Sequence, residues 1–185
     1  METPNAPAPQ ETPDITSTPE STQPILDQEK IKQYIEAQKL EQNFLMALLA
    51  GTAASLVGAF AWALVSVTTG YQIGYMAIGV GLLVAYAVRH FGKGIDSHFG
   101  YAGAGLALLG CLLGNFFSII GFAGQTEGLS YSMIFSVLNF SMIGDLMGYA
   151  FSPMDLLFYG LAAYEGYKFS FRKFTHEEII ANGTK

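Results

Sequence analysis

The chain has 185 residues, of which 51% are hydrophobic and only 13% are charged. An ordinary soluble domain has about 25% charged residues, so the composition argues against a soluble protein and predicts an integral membrane protein. The formal net charge is −6, and no basic surface suited to nucleic acid is expected. The single cysteine, Cys111, excludes an intramolecular disulfide and a multi-cysteine metal site.

The N-terminal part of the chain divides into two segments of different character. Residues 1–24 hold six of the seven prolines and too few apolar residues to offset the entropy of ordering, which predicts a disordered tail. In residues 25–43, apolar residues recur at helical spacing among lysines and glutamates. This pattern predicts a juxtamembrane amphipathic helix; a solvated helix leading into the membrane is the alternative.

Four apolar stretches follow, and each is of a length that can cross a hydrocarbon core about 30 Å thick. The predicted spans are residues 44–68, 71–89, 99–122 and 153–171. Residues 130–141 are amphipathic and short, which predicts an interfacial helix before the last span. The expected fold is therefore all-α: an integral membrane four-helix bundle over residues 44–174, followed by a polar tail over residues 175–185.

Small and polar residues inside the spans predict how the helices pack. Gly70 and Gly74, and also Gly110 and Gly114, have the GxxxG spacing that allows close approach of helices in lipid. These glycines are expected to bring the second and third spans together. Asn115 is expected to find a hydrogen-bond partner on another helix.

The distribution of lysine and arginine predicts the orientation of the bundle. With four spans, all nine basic residues fall on one side of the membrane, and the first turn and residues 124–152 carry none. The positive-inside rule then places both termini in the cytoplasm. A fifth span over residues 130–145 would move Arg172 and Lys173 to the other side, which argues against five spans.

Charged residues near the basic side are the candidate functional residues. Glu165 lies within the last span, and a carboxylate inside a membrane is costly unless it is paired. We expect an ion pair with Arg89 or Lys168; a proton- or cation-handling role is the alternative. Asp155 is expected to start the last helix, in a capping box with Ser152.

Four basic residues are predicted to contact lipid headgroups: Arg89, Lys93, Arg172 and Lys173. His90, Asp96 and His98 match no metal-binding motif, and Gly92–Gly94 lacks the glycine pattern of a P-loop. Neither a catalytic set nor a cofactor or metal site is therefore predicted.

Two sequence blocks carry a resemblance to known proteins. They are YQIGYMAIGVGLLVAYAVRHFGKGIDSHFGYAGAGLALLGCLLGN, which begins at Tyr71, and SPMDLLFYGLAAYEGYKFSFR, which begins at Ser152. The chain from Phe44 to Arg172 resembles an uncharacterised family of small bacterial four-span membrane proteins. The resemblance implies a location in the bacterial inner membrane and supports the topology; it implies no activity.

These observations favour a non-enzymatic membrane scaffold or accessory subunit. One alternative is a small oligomeric transporter or channel that uses Glu165 and Asn115. A second alternative is a lipid-acting membrane enzyme with Arg89, His90 and Lys93 at the headgroups. The expected partners are membrane lipids and either further copies of the chain or another membrane protein.

Overall fold

The computed structural model describes residues 28–183 except residues 127, 129 and 138. All regular secondary structure in these residues is helical, which confirms the predicted all-α class. The predicted disordered tail, residues 1–24, lies outside the described residues.

Eight helices are described. They are α1 (Gln28–Leu40), α2 (Phe44–Thr69), α3 (Met76–Gly92), α4 (Ser97–Thr126), α5 (Tyr131–Val137), α6 (Phe140–Ala150), α7 (Pro153–Phe169) and α8 (His176–Gly183). Among the described helices, α2 and α4, with 26 and 30 residues, are long and apolar enough by themselves to cross a membrane. Helices α3 and α7 have 17 residues each, which corresponds to about 26 Å.

The turn between α2 and α3 is longer than predicted. Gly70 ends α2 in the left-handed conformation, with φ 74° and its N–H on the carbonyl of Ser66, and α3 begins only at Met76. Gly70 and Gly74 therefore do not form the predicted packing pair between helices. A Cβ on Gly70 would meet nothing within 4 Å, whereas one on Gly74 would meet the ring of Phe158.

Two further predicted segments differ in the structure. The predicted interfacial helix is two helices, α5 and α6, because Asn139 starts a new helix by accepting a hydrogen bond from the backbone of Met142 at 2.8 Å. The predicted polar tail contains α8. Helix α1 packs against α8, and the rings of Tyr34 and Phe174 lie 5.8 Å apart.

Helices α2, α3, α4 and α7 pack into one bundle, in which α2 and α4 share the most extensive contact. The interior consists largely of small residues, and Trp62 is the largest fully buried side chain. The large apolar side chains lie outside. They include Leu45, Leu49, Val57, Phe60, Leu64, Tyr86, Tyr101, Leu156 and Leu157. The bundle is thus most apolar where it faces its surroundings.

Gly110 and Gly114 pack between helices as predicted, but mainly against α2. A Cβ on Gly110 would lie 2.7 Å from Val80 of α3 and 2.9 Å from the hydroxyl of Ser55 of α2, and one on Gly114 would lie 3.0 Å from Trp62. The Ser55 hydroxyl also donates to the carbonyl of Leu106 of α4 at 2.9 Å. These glycines therefore bring α4 against α2 as well as α3.

One end of the bundle gathers several chain segments. The Asn43 N–H donates to the carbonyl of Gly92 at 2.9 Å, and the Arg172 N–H donates to the carbonyl of Gly94 at 2.8 Å. The start of α2, the end of α3 and the segment after α7 thus meet at the same end, where the basic residues of these segments also lie.

Candidate functional site

A cavity of about 560 Å³ lies at this end of the bundle and carries an excess of positive charge. We call it the basic pocket. Its lining residues are Gln38, Glu41, Tyr86, Arg89, His90, Lys93 and Arg172. They come from α1, from the turn after α1, from the end of α3 and from the segment that follows α7.

Local backbone structure places the cations of the basic pocket. Arg89 and His90 lie in the last turn of α3, where positive charge interacts favourably with the helix dipole. Lys93 ends this helix with φ 48°, and its N–H donates to the carbonyl of Arg89. The rings of Tyr86 and His90 stack 5.7 Å apart, so one wall of the pocket is aromatic.

Carboxylates neutralise two of the three cations. Lys93 Nζ lies 3.1 Å from Glu41 Oε2, and Arg172 Nη2 lies 2.5 Å from Glu178 Oε1. The hydrogen bond from Arg172 is the main reason that the pKa of the Glu178 carboxyl lies below its ordinary value. Arg89 forms no ion pair with any described residue. Its guanidinium is therefore the cation best able to receive an external anion.

Three of the four predicted headgroup residues, Arg89, Lys93 and Arg172, line the basic pocket. Lys173 lies outside it, with its ammonium 5.8 Å from the ring of Phe171. Glu41 and Tyr86 also line the pocket, although the sequence did not predict a role for either residue. Nothing in their local sequence distinguishes them, because the pocket forms only when α1 and α3 come together.

Neither of the predicted ion pairs of Glu165 is present. The half-buried Glu165 lies within 4.0 Å of no basic group among the described residues, and its Oε2 has no hydrogen-bond partner there. The Lys168 ammonium lies over the ring of Tyr164 instead, at 5.2 Å. This contact competes with the ion pair that the i, i+3 spacing allows.

A second group of polar side chains lies inside the bundle. Trp62, Ser66, Asn115 and Tyr159 are at most 5% exposed, and each has a polar atom without a hydrogen-bond partner in the described part of the chain. We call these four residues the buried polar cluster. Asn115 was predicted to bond to another helix, but its Oδ1 accepts from Gln72 Nε2, which lies in the turn between α2 and α3.

Comparison of the chain with protein-family models, with curated proteins and with solved structures gives no match. The resemblance to small bacterial four-span membrane proteins stays a prediction.

Proposed function

We propose that this chain is a non-enzymatic membrane scaffold or accessory subunit of the bacterial inner membrane. In this proposal α2, α3, α4 and α7 cross the bilayer, and both termini face the cytoplasm. The observation that carries the proposal is the distribution of polarity. Many large apolar side chains are exposed on the outside of the bundle, and most of its buried residues are small, with larger ones such as Trp62 and Phe99 among them. Close helix packing through small residues is favoured in lipid.

The shorter helices are compatible with four crossings. The α3 and α7 helices, each about 26 Å long, approach the thickness of a hydrocarbon core of about 30 Å. Tyr71 and Tyr75, in the turn before α3, are 74% and 71% exposed, as expected for tyrosines at a membrane interface. Basic side chains at the opposite end can reach the headgroups on their own side.

The basic pocket gives this proposal a specific lipid contact. Its position beside the ends of α3 and α7 would place it at the headgroup level of the cytoplasmic leaflet. Arg89 is free to bind a phosphate, and a guanidinium can bind phosphate oxygens through two parallel hydrogen bonds. We infer that the pocket binds the headgroup of an anionic phospholipid.

Lipid binding tests the pocket directly. The full-length protein in detergent is titrated with anionic or zwitterionic phospholipid, and bound lipids are counted by native mass spectrometry. We expect preferential binding of the anionic lipid, and we expect Arg89→Gln to weaken it several-fold. Lys32→Gln makes the same charge change on the exposed part of α1 and serves as the control. Equal binding of both lipids would contradict the inference.

The scaffold role requires a stable partner or self-association. Affinity purification of the full-length protein in mild detergent should recover an oligomer or a complex with another membrane protein. Recovery of a strict monomer without partners would contradict the scaffold role and leave the lipid contact unaffected.

An oligomeric transporter or channel is the second candidate. The unpartnered Glu165 Oε2 and the buried polar cluster favour it, since polar groups inside a membrane often mark a pathway. Unchanged ion and proton flux in proteoliposomes containing the oligomer would contradict this candidate.

A further inference from the structure

The buried polar cluster lies in the part of the bundle nearer the α2–α3 turn, away from the basic pocket. Its unpartnered atoms are Trp62 Nε1, Ser66 Oγ, Asn115 Nδ2 and Tyr159 Oη. They come from α2, α4 and α7. Three helices thus contribute polar groups that no described protein atom satisfies.

Contacts among three of the side chains, and the position of the fourth one turn further along α2, place them in one region. The rings of Trp62 and Tyr159 meet edge to face, 6.5 Å apart, and the Tyr159 hydroxyl is close enough to the Asn115 side chain to interact with it. Trp62 also packs against Gly114, the residue before Asn115. Ser66 follows Trp62 by one turn of α2 and is fully buried.

Other buried hydroxyl groups in the bundle are satisfied. The Ser118 hydroxyl donates to the carbonyl of Gly114 at 2.7 Å, and the Ser170 hydroxyl donates to the carbonyl of Gly166 at 2.5 Å. A buried polar group without a partner destabilises the folded chain, because it has lost its hydrogen bonds to water. Trp62 Nε1 and Ser66 Oγ have no such partner among the described residues, and the contact between Asn115 and Tyr159 leaves each of these side chains able to form a further hydrogen bond.

Gln72 connects the cluster to the end of the bundle. This residue is exposed in the α2–α3 turn, and its side-chain amide donates to Asn115 Oδ1. The bond holds the Asn115 amide in place and leaves Nδ2 for a further partner. The cluster consequently lies one hydrogen bond away from the surface of the turn.

We propose that the buried polar cluster is a binding site for water within the bundle. The indole of Trp62 can only donate a hydrogen bond, whereas the hydroxyls of Ser66 and Tyr159 can donate or accept. The ligand must therefore accept hydrogen bonds from the indole and from the Asn115 amide, and it can also donate to either hydroxyl. None of the four side chains is charged, although the Asp155 carboxylate is close enough to Tyr159 to interact with it electrostatically; a neutral ligand fits these four groups. A buried water typically makes about three hydrogen bonds, and the cluster offers enough groups for them.

The site can be tested through Trp62, the single tryptophan of the chain. The full-length protein, labelled with ¹⁵N at the indole, is placed in lipid nanodiscs, and magnetisation transfer from water to the indole N–H is measured by NMR. The proposal is supported if magnetisation passes from water to the indole N–H while acrylamide fails to quench the fluorescence of Trp62. Absence of transfer, with an indole N–H that persists in D₂O, would overturn the proposal.

Two substitutions locate the water. Tyr159→Phe and Asn115→Leu each remove a polar group from the cluster, and either should abolish the transfer to Trp62. Ser118→Ala removes a buried hydroxyl that is satisfied within α4, and it should leave the transfer unchanged. If Asn115→Leu does not fold, the test rests on Tyr159→Phe alone. Undiminished magnetisation transfer to Trp62 in Tyr159→Phe would overturn the proposal. None of these outcomes depends on lipid binding at the basic pocket.

Discussion

The effect of each glycine in this bundle depends on what lies opposite its missing side chain. Gly79 and Gly81 are two residues apart in α3, and their Cα–H groups point in different directions. A Cβ on Gly81 would lie 2.9 Å from the backbone of Ala162 in α7, whereas one on Gly79 would meet nothing within 4 Å. Gly81 is therefore required for the close approach of α3 and α7, and Gly79 is not.

The two glycines give a matched pair of variants. Gly81→Ala should lower the free energy of unfolding by about 1–3 kcal/mol, because the Ala162 backbone cannot move away easily. Gly79→Ala should leave the stability unchanged or raise it by up to about 1 kcal/mol. Unfolding by SDS in mixed micelles, followed by far-UV circular dichroism, measures both. Equal stability of the two variants would contradict the close α3–α7 packing.

The backbone of Lys93, a residue that lines the basic pocket, is strained. Its φ of 48° makes it the one non-glycine residue with positive φ in the described part of the chain, and such a conformation costs about 1–3 kcal/mol. Lys93→Gly should therefore increase the stability by about 1 kcal/mol and weaken the binding of anionic lipid. SDS unfolding and native mass spectrometry measure the two effects.

Lys93→Ala is the control because it removes the ammonium but retains a Cβ. It should weaken lipid binding as much as Lys93→Gly does, without the gain in stability. A Lys93→Gly variant no more stable than Lys93→Ala would show that the strain is absent.

Helix boundaries could be predicted where the signal is local. Ser152, Pro153 and Asp155 predict the start of α7, and both hydrogen bonds of the capping box are present. The start of α3 could not be predicted in this way, because the turn after Gly70 is uncharged and has the same composition as the spans. Gly70, with its positive φ, ends α2, and no side-chain hydrogen bond caps the start of α3, so hydropathy reveals neither boundary.

The candidate site was likewise predictable only in part from the sequence. The sequence placed Arg89, Lys93 and Arg172 on the same side, and the structure brings these three into one pocket; the pocket itself was not predicted. The lack of an ion pair at Glu165 among the described residues and the contact of Tyr159 with Trp62 were not predictable. They depend on side-chain direction and on contacts between distant helices, and sequence spacing fixes neither.

The capping box of α7 can be tested by removing one of its hydrogen bonds. The Ser152 hydroxyl accepts from the N–H of Met154 at 3.4 Å, and the Ser152 N–H donates to Asp155 Oδ2 at 2.9 Å. Ser152→Ala should lower the free energy of unfolding by about 1 kcal/mol. Ser152→Asp supplies another capping oxygen and should restore the stability in SDS unfolding; failure to do so would contradict a capping role.

The attachment of α8 should depend on pH. Because Arg172 lowers the pKa of Glu178 in the folded chain, the interaction is fully present above the ordinary carboxyl pKa of 4.5. It is lost as the pH falls through the lowered value, where the folded carboxylate takes up a proton. Hydrogen exchange of α8, corrected for the intrinsic effect of pH, should therefore increase in acid.

Glu178→Gln should reproduce this loosening of α8 at pH 7. Glu177→Gln changes the exposed neighbouring carboxylate and should leave the protection of α8 unchanged. Equal protection of α8 in the wild-type protein and in Glu178→Gln would contradict the role of the ion pair with Arg172.

In the molecule as a whole, the helix packing gathers the basic residues at one end of the bundle, as their distribution along the sequence predicts. Helices α1 and α8 contact each other, and the basic pocket lies at the same end of the bundle. The α2–α3 turn and the described residues between α4 and α7 carry no lysine or arginine. If the bundle crosses a bilayer four times, as proposed, all basic residues would lie on one side, and the positive-inside rule would make that side cytoplasmic.

The number of crossings can be decided by labelling single cysteines from each side of the membrane. Cys111 is fully buried, so Cys111→Ala gives a background in which Lys32→Cys, Ser141→Cys and Lys173→Cys can be compared. An impermeant maleimide should label Lys32→Cys and Lys173→Cys only from the cytoplasmic side. Ser141→Cys, in the exposed part of α6, should be labelled only from the opposite side.

Labelling of Ser141→Cys from the cytoplasm would contradict four crossings, and labelling of Lys173→Cys from the other side would indicate five. Five crossings would place Arg172 and Arg89 on opposite sides of the membrane. That result would be incompatible with the basic pocket, which both residues line.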